Sequence, residues 1–362
     1  MIKPAICQLI REEDLTEETM EGVMEEIMTG RATPAQIGAF ITALRIKGET
    51  VDEITGAARV MRAKATPIQL HNHVVNIDRD QIGVEEETIL DTCGTGGDGT
   101  NTFNVSTVTA LVAAGAGVKV AKHGNRAVSS QCGSADVLKN LGVKLEINHA
   151  NVETCIQEIG IGFLYAPLFH GAMKHVAGAR QDIGLRSIFN LLGPLTNPAG
   201  ATAQVLGVYA PELTEPMAGV LGRLGAREAF VVCGEGTFDE ISICGPTQVS
   251  HLNGGGIRTF HMMPEEWGFK RAAPESIRGG SARENAQIIR DILNGEKSPR
   301  RDMVLLNAGA ALTVAGFAQD ITEGIERAQA SIDSGQAREK LEALVRFTQQ
   351  CGALSFKNLL SP

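Results

Sequence analysis

The 362-residue chain contains no CxxC pair, and its seven cysteines (Cys7, Cys93, Cys132, Cys155, Cys233, Cys244 and Cys351) are odd in number and scattered. A disulfide framework or a cysteine-based zinc site is therefore not expected, and a reducing cytosol fits. A basic surplus is also missing: 33 Lys and Arg stand against 42 Asp and Glu, a net charge of −9. This argues against a general binder of nucleic acid or anionic membrane, while leaving room for a local basic pocket. No apolar run reaches the roughly 18 residues of a membrane span, because the stretches at 105–121 and 303–318 are broken by Thr, Asn, Gly and Lys. The start, MIKPAICQLIREED, meets charge too soon for a secretory signal. Internal repeats and low-complexity segments are absent too. What is plentiful is glycine, with 41 residues. A hydrophobic fraction of 43% and a charged fraction of 21% exclude a collagenous, coiled-coil or wholly disordered chain. The length suggests about two domains. A glycine-rich α/β enzyme with tight loops at its site is the natural reading.

Residues 13–65 read as three helices. The first runs from about Leu15 to Met28, with Asp14 and Glu17 as a variant capping box and Gly30 as its stop. The second has Thr33 as N-cap, Pro34 at N1 and Gln36 at N3, with Ile37, Phe40, Ile41 and Leu44 on one face. The third spans about Val51 to Lys64. Residues 68–88 read as a linker that becomes a strand, and His71 and His73 in it as solvated rather than metal-binding. From Ile89 short apolar runs alternate with glycine turns and helical patterns. Strands at VKVAK, 162–167, 203–209 and 229–234, with helices at 211–225 and 282–294, imply a largely parallel sheet covered by helices. The tail, about 301–350, reads as helical with a break at Gly335.

Four segments carry chemistry. Gly94-Thr95-Gly96-Gly97-Asp98-Gly99 matches GxGxxG, yet Lys122 and His123 stand where a dinucleotide site needs an acid, and no GK[ST] follows. What remains is a loop whose backbone N–H groups can approach an anion closely, followed by Ser106 as the expected N-cap of an anion-friendly helix. The second segment, Lys122-His123-Gly124-Asn125-Arg126, ends a strand, where α/β sheets place ligands; its cations suit a phosphorylated substrate. Ser134 reads as the cap of the helix that follows. The third, Asp239-Glu240, is a carboxylate pair after a strand, suited to Mg²⁺ or simply solvated. In the fourth, His170 and His175 are five apart, the wrong spacing for a zinc pair on one helix face, while Arg180 and Arg186 can each fork onto a carboxylate or serve the structure.

Together these segments closely resemble the anthranilate phosphoribosyltransferase family, through GTGGD (94–98), NVST (104–107), KHGNR (122–126), GSAD (133–136), NLLGPLTNP (190–198) and DEIS (239–242). The resemblance covers nearly the whole chain, in order. It implies a small all-helical domain, residues 1–67 completed by helices from about 171–197. A larger α/β domain, 68–362, would hold a mostly parallel sheet of the nucleoside phosphorylase/phosphoribosyltransferase kind. It implies a cytoplasmic homodimer that joins anthranilate to phosphoribosyl pyrophosphate with Mg²⁺, releasing pyrophosphate, in L-tryptophan biosynthesis, without nucleic-acid or membrane partners. Carried over by position, Gly94, Gly97, Asp98 and Thr102 lie on the pyrophosphate side. Asn104, Val105, Ser106 and Thr107 meet the phosphoribosyl group, with Lys122, His123, Gly124, Asn125, Arg126, Ala127, Val128, Ser129, Ser130 and Ser134. Gly94, Asn125 and Arg180 meet anthranilate, with His123, His170 and Pro194 lining its site. Ser106, Asp239 and Glu240 hold the metal, and no residue is assigned as a general base. The chain departs from the family at Gly171, commonly Pro, and at Cys132, commonly Ser. A pyrimidine nucleoside phosphorylase, or a non-catalytic nucleic-acid-binding relative of the same fold, is the alternative.

Overall fold

The computed structural model describes residues 1–70, 73–78, 81–127 and 131–351, with 73–78 and 81–86 described by their backbone. The chain opens with a helix that sequence reading passed over: α1 (Ile2–Ile10), short, but with Ile2, Ala5 and Leu9 buried on one face. The second, α2 (Glu17–Met28), starts later than Leu15. The Thr16 hydroxyl, not Asp14, accepts the Thr19 N–H, because the Asp14 carboxylate is drawn 2.6 Å from Lys47 Nζ. In α3 (Pro34–Lys47) the Thr33/Gln36 capping box is formed in both directions. A second box, Thr50 with Glu53, opens α4 (Val51–Lys64). Glu53 is fully buried and takes the Leu15 N–H at 3.0 Å and Lys47 Nζ at 3.0 Å, so one carboxylate ties α3 and α4 to the segment before α2.

The linker expected at 68–88 is an antiparallel hairpin, β1 (His73–Asp78) and β2 (Gln81–Glu86). His71 lies outside the described residues, and His73 is described only by its backbone. Then follow β3 (Ile89–Gly94), α5 (Val105–Gly115), β4 (Lys119–Gly124), α6 (Ser134–Asn140), α7 (His149–Thr154), β5 (Ile161–Tyr165), α8 (Ala166–Phe169), α9 (Lys174–Ile183), α10 (Ile188–Leu195), β6 (Ala203–Gly207), α11 (Thr214–Arg223) and β7 (Glu228–Gly234). The chain closes with β8 (Thr247–Asn253), β9 (Gly256–Met262), α12 (Ala282–Leu293), α13 (Pro299–Val314), α14 (Ile321–Asp333) and α15 (Gln336–Gln350).

Seven strands form one sheet in the order β5-β4-β3-β6-β7-β8-β9, parallel through β7 and antiparallel at β8 and β9. The last two turn on Gly254 and Gly255, both at positive φ as a tight two-residue hairpin requires. Side chains alternate between the two faces. Phe230 and Val232 enter a core with α5 and α13, which are buried almost all round. Ala229, Val231 and Leu206 enter the other, with α11 and the helices α2 to α4. That second core also takes Val176 and Ala179 of α9, and Ile188, Leu191, Leu192 and Leu195 of α10. The N-terminal bundle therefore packs with two helices drawn from the middle of the chain, and its apolar interior runs on into the sheet.

Candidate active site

Chain order along the sheet reverses at β3: β4 and β5 lie on one side of it, β6 and β7 on the other. In open α/β sheets the crevice beyond the strand ends at such a point receives ligands. The glycine loop leaves β3 there. Gly96, Gly97 and Gly99 all have positive φ, where a glycine is unstrained, and the turn exposes successive N–H groups. The loop after β7 folds back across the same edge. A Cβ on Gly207 would overlap the Asp239 backbone, and one on Gly94 would overlap its carboxylate. These two glycines are thus required by close approach rather than by backbone angle.

Two hydrogen bonds close the site. Gly96 N–H donates to Asp239 Oδ2 at 2.8 Å, and Ser106 N–H donates to Glu240 Oε1 at 3.1 Å. Burial, then the Asp98 charge, pushes Asp239 up to about 7. Burial, then Asp239, pushes Glu240 well above the usual carboxylate range. Lys122 is buried beside them, its Nζ donating to Thr92 O at 2.5 Å and Ser106 Oγ at 3.3 Å. Asn307, from the apolar helix α13, grips the loop by accepting the Ile241 N–H at 3.0 Å and donating to its carbonyl at 2.8 Å.

Neither serine is a helix cap. Asn104 takes the cap position of α5, leaving the Ser106 hydroxyl beside Lys122. Gly133 caps α6, because a Cβ there would overlap the backbone of Asn125, Arg126 and Ala127. Asp136 then collects the N–H groups of Gly133 and Ala127, each at 3.0 Å. The Asn104 amide is held from two sides. It donates to Cys132 O at 3.1 Å and accepts from Cys132 Sγ at 3.4 Å and from the buried Asn285 at 3.0 Å. Cys132, the departure from the family pattern, therefore bonds Asn104 through its thiol.

On the far side of β4, His123 and His170 are buried and joined Nε2 to Nε2 at 3.1 Å. Burial, then His170 and Lys122, takes His123 down to about 3, and burial takes His170 down to about 4. Both rings are neutral at pH 7, one donating to the other. Arg180, on α9, lies 5.5 Å over the Phe189 ring, and among the described residues its guanidinium has no carboxylate or carbonyl partner. Arg186 lies 4.6 Å over Tyr209 and bonds the Gly97 carbonyl.

The chain matches the family described as "Glycosyl transferase family, a/b domain" over residues 86–338, and "Glycosyl transferase family, helical bundle domain" over 3–65. It is 57% identical to an anthranilate phosphoribosyltransferase of Geobacter sulfurreducens, over 97% of this chain and 100% of that one. The chain belongs to the anthranilate phosphoribosyltransferase family. It is 56% identical to the family member from Syntrophobacter fumaroxidans, over 97% of this chain and 100% of that one. The crystal structure of the Thermus thermophilus member superimposes with a TM-score of 0.87 at 45% identity, covering 95% of this chain and 99% of that one. The Saccharomyces cerevisiae member, solved in complex with PRPP and Mg, gives 0.85 at 29% identity, covering 96% and 98%. As a member of this family, the protein transfers the 5-phosphoribosyl group of phosphoribosyl pyrophosphate to the amine of anthranilate. The products are N-(5-phosphoribosyl)anthranilate and pyrophosphate, in L-tryptophan biosynthesis.

Of the other residues expected from the family, those described lie in the glycine loop, before and in the first turn of α5, at the end of β4 and in α10. Asp98 lies in the glycine loop, its carbonyl bonded by the Thr237 hydroxyl at 2.7 Å, and Thr102 bridges to Arg278. Val105 and Thr107 are buried in the first turn of α5, and the Thr107 hydroxyl has no hydrogen-bond partner among the described residues. Gly124 ends β4 against Ser134 and Phe163, Asn125 accepts the Arg126 N–H at 2.8 Å, and Arg126 Nε donates to the Tyr165 hydroxyl at 2.9 Å. Pro194 lies in α10, its carbonyl held by Gln204. Val128, Ser129 and Ser130 lie outside the described residues. Space is open around Gly171. Sequence reading quoted Asn197 within NLLGPLTNP without a role, and missed Asp91, Asn285 and Asn307. The last had a visible signal, a lone amide in the apolar run VLLNAGAALTV.

Proposed function

We propose that this crevice is where the transfer takes place. The observation that carries the reading is the closure of three distant segments. Gly96 and Ser106 bond carboxylates 143 and 134 residues away, which ties the glycine loop and the start of α5 to Asp239-Glu240. The N–H groups of Gly97 and its neighbours, with Asp98 and Thr102, take the pyrophosphate. Asn104, Val105, Ser106 and Thr107, Lys122 to Ser130, and Ser134 take the phosphoribosyl group. Asn125, Arg180 and Gly94 take anthranilate against His123, His170 and Pro194.

Two half-buried carboxylates with raised affinity for protons, beside a serine hydroxyl, are a donor set that suits Mg²⁺, which asks for few protein oxygens and fills its shell with phosphates and water. Among the described residues no group of three His, Cys, Asp or Glu is placed to hold a metal ion by itself. When bound, Mg²⁺ supplies positive charge to the departing pyrophosphate. The chain's own groups do the rest. The glycine-loop N–H groups and the start of α5 stabilise the negative charge that gathers on the leaving group. The neutral histidine pair adds no positive charge beside a ribose that becomes cationic at its anomeric carbon. Anthranilate's amine is already uncharged at neutral pH, so no strong base is needed, and Arg180 aims it by clamping the carboxylate.

Residues 1–67 with the helices of 171–197 make the small domain, and 68–362 the larger. Two copies join through the small domains. What supports this is an apolar groove of about 460 Å³ between α1, α3 and α9, lined by Ile6, Ile10, Ala39, Ala43, Ile46 and Ile183, with Ile10 and Ile46 well exposed. A cytoplasmic place fits the free cysteines, and among the described residues no helix is long and apolar enough to cross a membrane. The test of the metal assignment is Asp239→Asn with Glu240→Gln, followed by the loss of anthranilate fluorescence on mixing with phosphoribosyl pyrophosphate and Mg²⁺. The double variant should turn over at least about 100-fold more slowly at limiting Mg²⁺. Wild-type turnover there would remove the pair from the metal site.

A further inference from the structure

The ladder between β3 and β4 stops early. Ile89 pairs with Lys119 and Leu90 with Val120, and there the pairing ends. Both strands continue, β3 paired with β6 as far as Gly94 and β4 with β5 as far as Gly124. In a continued parallel ladder, one residue of β3 would accept the His123 N–H and donate to the Ala121 carbonyl. Two side chains do this instead. Asp91 Oδ1 accepts the His123 N–H at 3.2 Å, and Asn197 Nδ2 donates to Ala121 O at 2.8 Å. The same amide donates to Asp91 Oδ2 at 2.8 Å, and its oxygen accepts the Ala199 N–H at 2.9 Å.

Asp91 is completely buried and Asn197 nearly so. Burying a carboxylate is unfavourable even when it is well bonded, and an ordinary ladder residue would make the same two backbone bonds without that penalty. The pair therefore changes the geometry rather than merely filling it. It spaces β3 from β4 at the crevice. It also ties the 190–198 segment, whose Gly193 backbone meets the His123 ring, to the strand end that carries this histidine. Lys122 has a separate anchor on the phosphate side, through Thr92 and Ser106.

We propose that Asp91, braced by Asn197, is a positioning residue for the aromatic substrate: the pair is a side-chain wedge that holds the sheet open beside the crevice and sets His123 against His170. It touches no substrate. The proposal rests on the assignment of His123 and His170 to the anthranilate wall.

The experiment compares wild type with Asp91→Asn, measuring the KM of each substrate, kcat and the thermal midpoint. The new amide NH₂ must face either the His123 N–H or the Asn197 amide, so the wedge shifts. Anthranilate KM should rise at least about tenfold, as sub-ångström misplacement brings, while the KM for phosphoribosyl pyrophosphate stays within about threefold. Asp91→Asn with Asn197→Asp restores a donor–acceptor pair between the two positions, though it leaves a carboxylate oxygen at Ala121 O. It should recover at least about threefold of the loss. Should Asp91→Asn not fold, Asn197→Ala, which removes the brace alone, is read by the same split. A lowered midpoint with both KM values unchanged, an equal rise in both, or no recovery in the double variant overturns the wedge. Arg180→Ala is run in parallel. Anthranilate KM that ignores Arg180 sinks the site assignment itself, whereas a response to Arg180 with none to Asp91 sinks only the wedge.

Discussion

Removing the Arg180 guanidinium is the sharpest perturbation of the proposed anthranilate site. Its environment sets the size of the effect. The side chain lies over the Phe189 ring at 5.5 Å, and burial lowers its pKa. Among the described residues no carboxylate neutralises it. A partly desolvated cation without an anion is poised for one, and anthranilate brings a carboxylate. Arg180→Ala then deletes a charge-assisted hydrogen bond worth about 1.5–3 kcal/mol. At about 1.4 kcal/mol per tenfold, this is on the order of 10- to 150-fold in kcat/KM for anthranilate. The KM for phosphoribosyl pyrophosphate should move much less, because the proposed site gives its phosphates to Gly97, Lys122 and Ser134. Steady-state fluorescence with each substrate varied in turn measures both. Aniline, which has the amine but no carboxylate, should be a poor substrate for wild type and nearly indifferent to the mutation. Equal losses for both substrates, or an aniline rate that falls as far as the anthranilate rate, would show that Arg180 serves the structure.

Gly207→Ala should abolish most activity while the protein still folds, because its Cβ would overlap the Asp239 backbone and drive the carboxylate loop off the sheet edge at about 1–3 kcal/mol. An active Ala variant with unchanged Mg²⁺ dependence would refute that close approach. The buried histidines give stability a pH dependence. Their folded pKa values, about 3 for His123 and about 4 for His170, lie below the ordinary 6.5. Their contribution is full above pH 6.5. It is lost progressively as pH falls toward 4, where the unfolded chain binds protons that the folded one does not, at up to about 1.4 kcal/mol per pH unit for each. Urea unfolding of wild type and His170→Gln between pH 7 and 4.5 should show a shallower slope in the variant, and parallel slopes would contradict neutral burial.

Sequence alone determined what depends on neighbours a few residues apart. The Thr33/Pro34/Gln36 start of α3 is legible because its capping bonds span three residues. The strands β5, β6 and β7 are legible because short apolar runs between glycine turns have few other conformations open to them. The segments proposed for the phosphates stand out through resemblance, since glycine loops and strand-end cations occur as contiguous blocks. Even locally, some signals misled. Asp14 looked like a cap until Lys47, 33 residues on, claimed its carboxylate. Ser106 and Ser134 looked like caps until the backbone crossing at Gly133 and the anchoring of Asn104 by Cys132 and Asn285 moved each cap earlier in the chain. Only the tertiary structure decided the groups whose partners are remote: His123 on His170, Asn307 on Ile241, and Asp91 with Asn197 in a gap of the sheet. In sequence Asn307, alone in an apolar run, stands out, but nothing there names the partner of any of these polar residues. Each acquires its role when burial strips away water and leaves one partner within reach, and which partner that is depends on strand order, not on spacing along the chain.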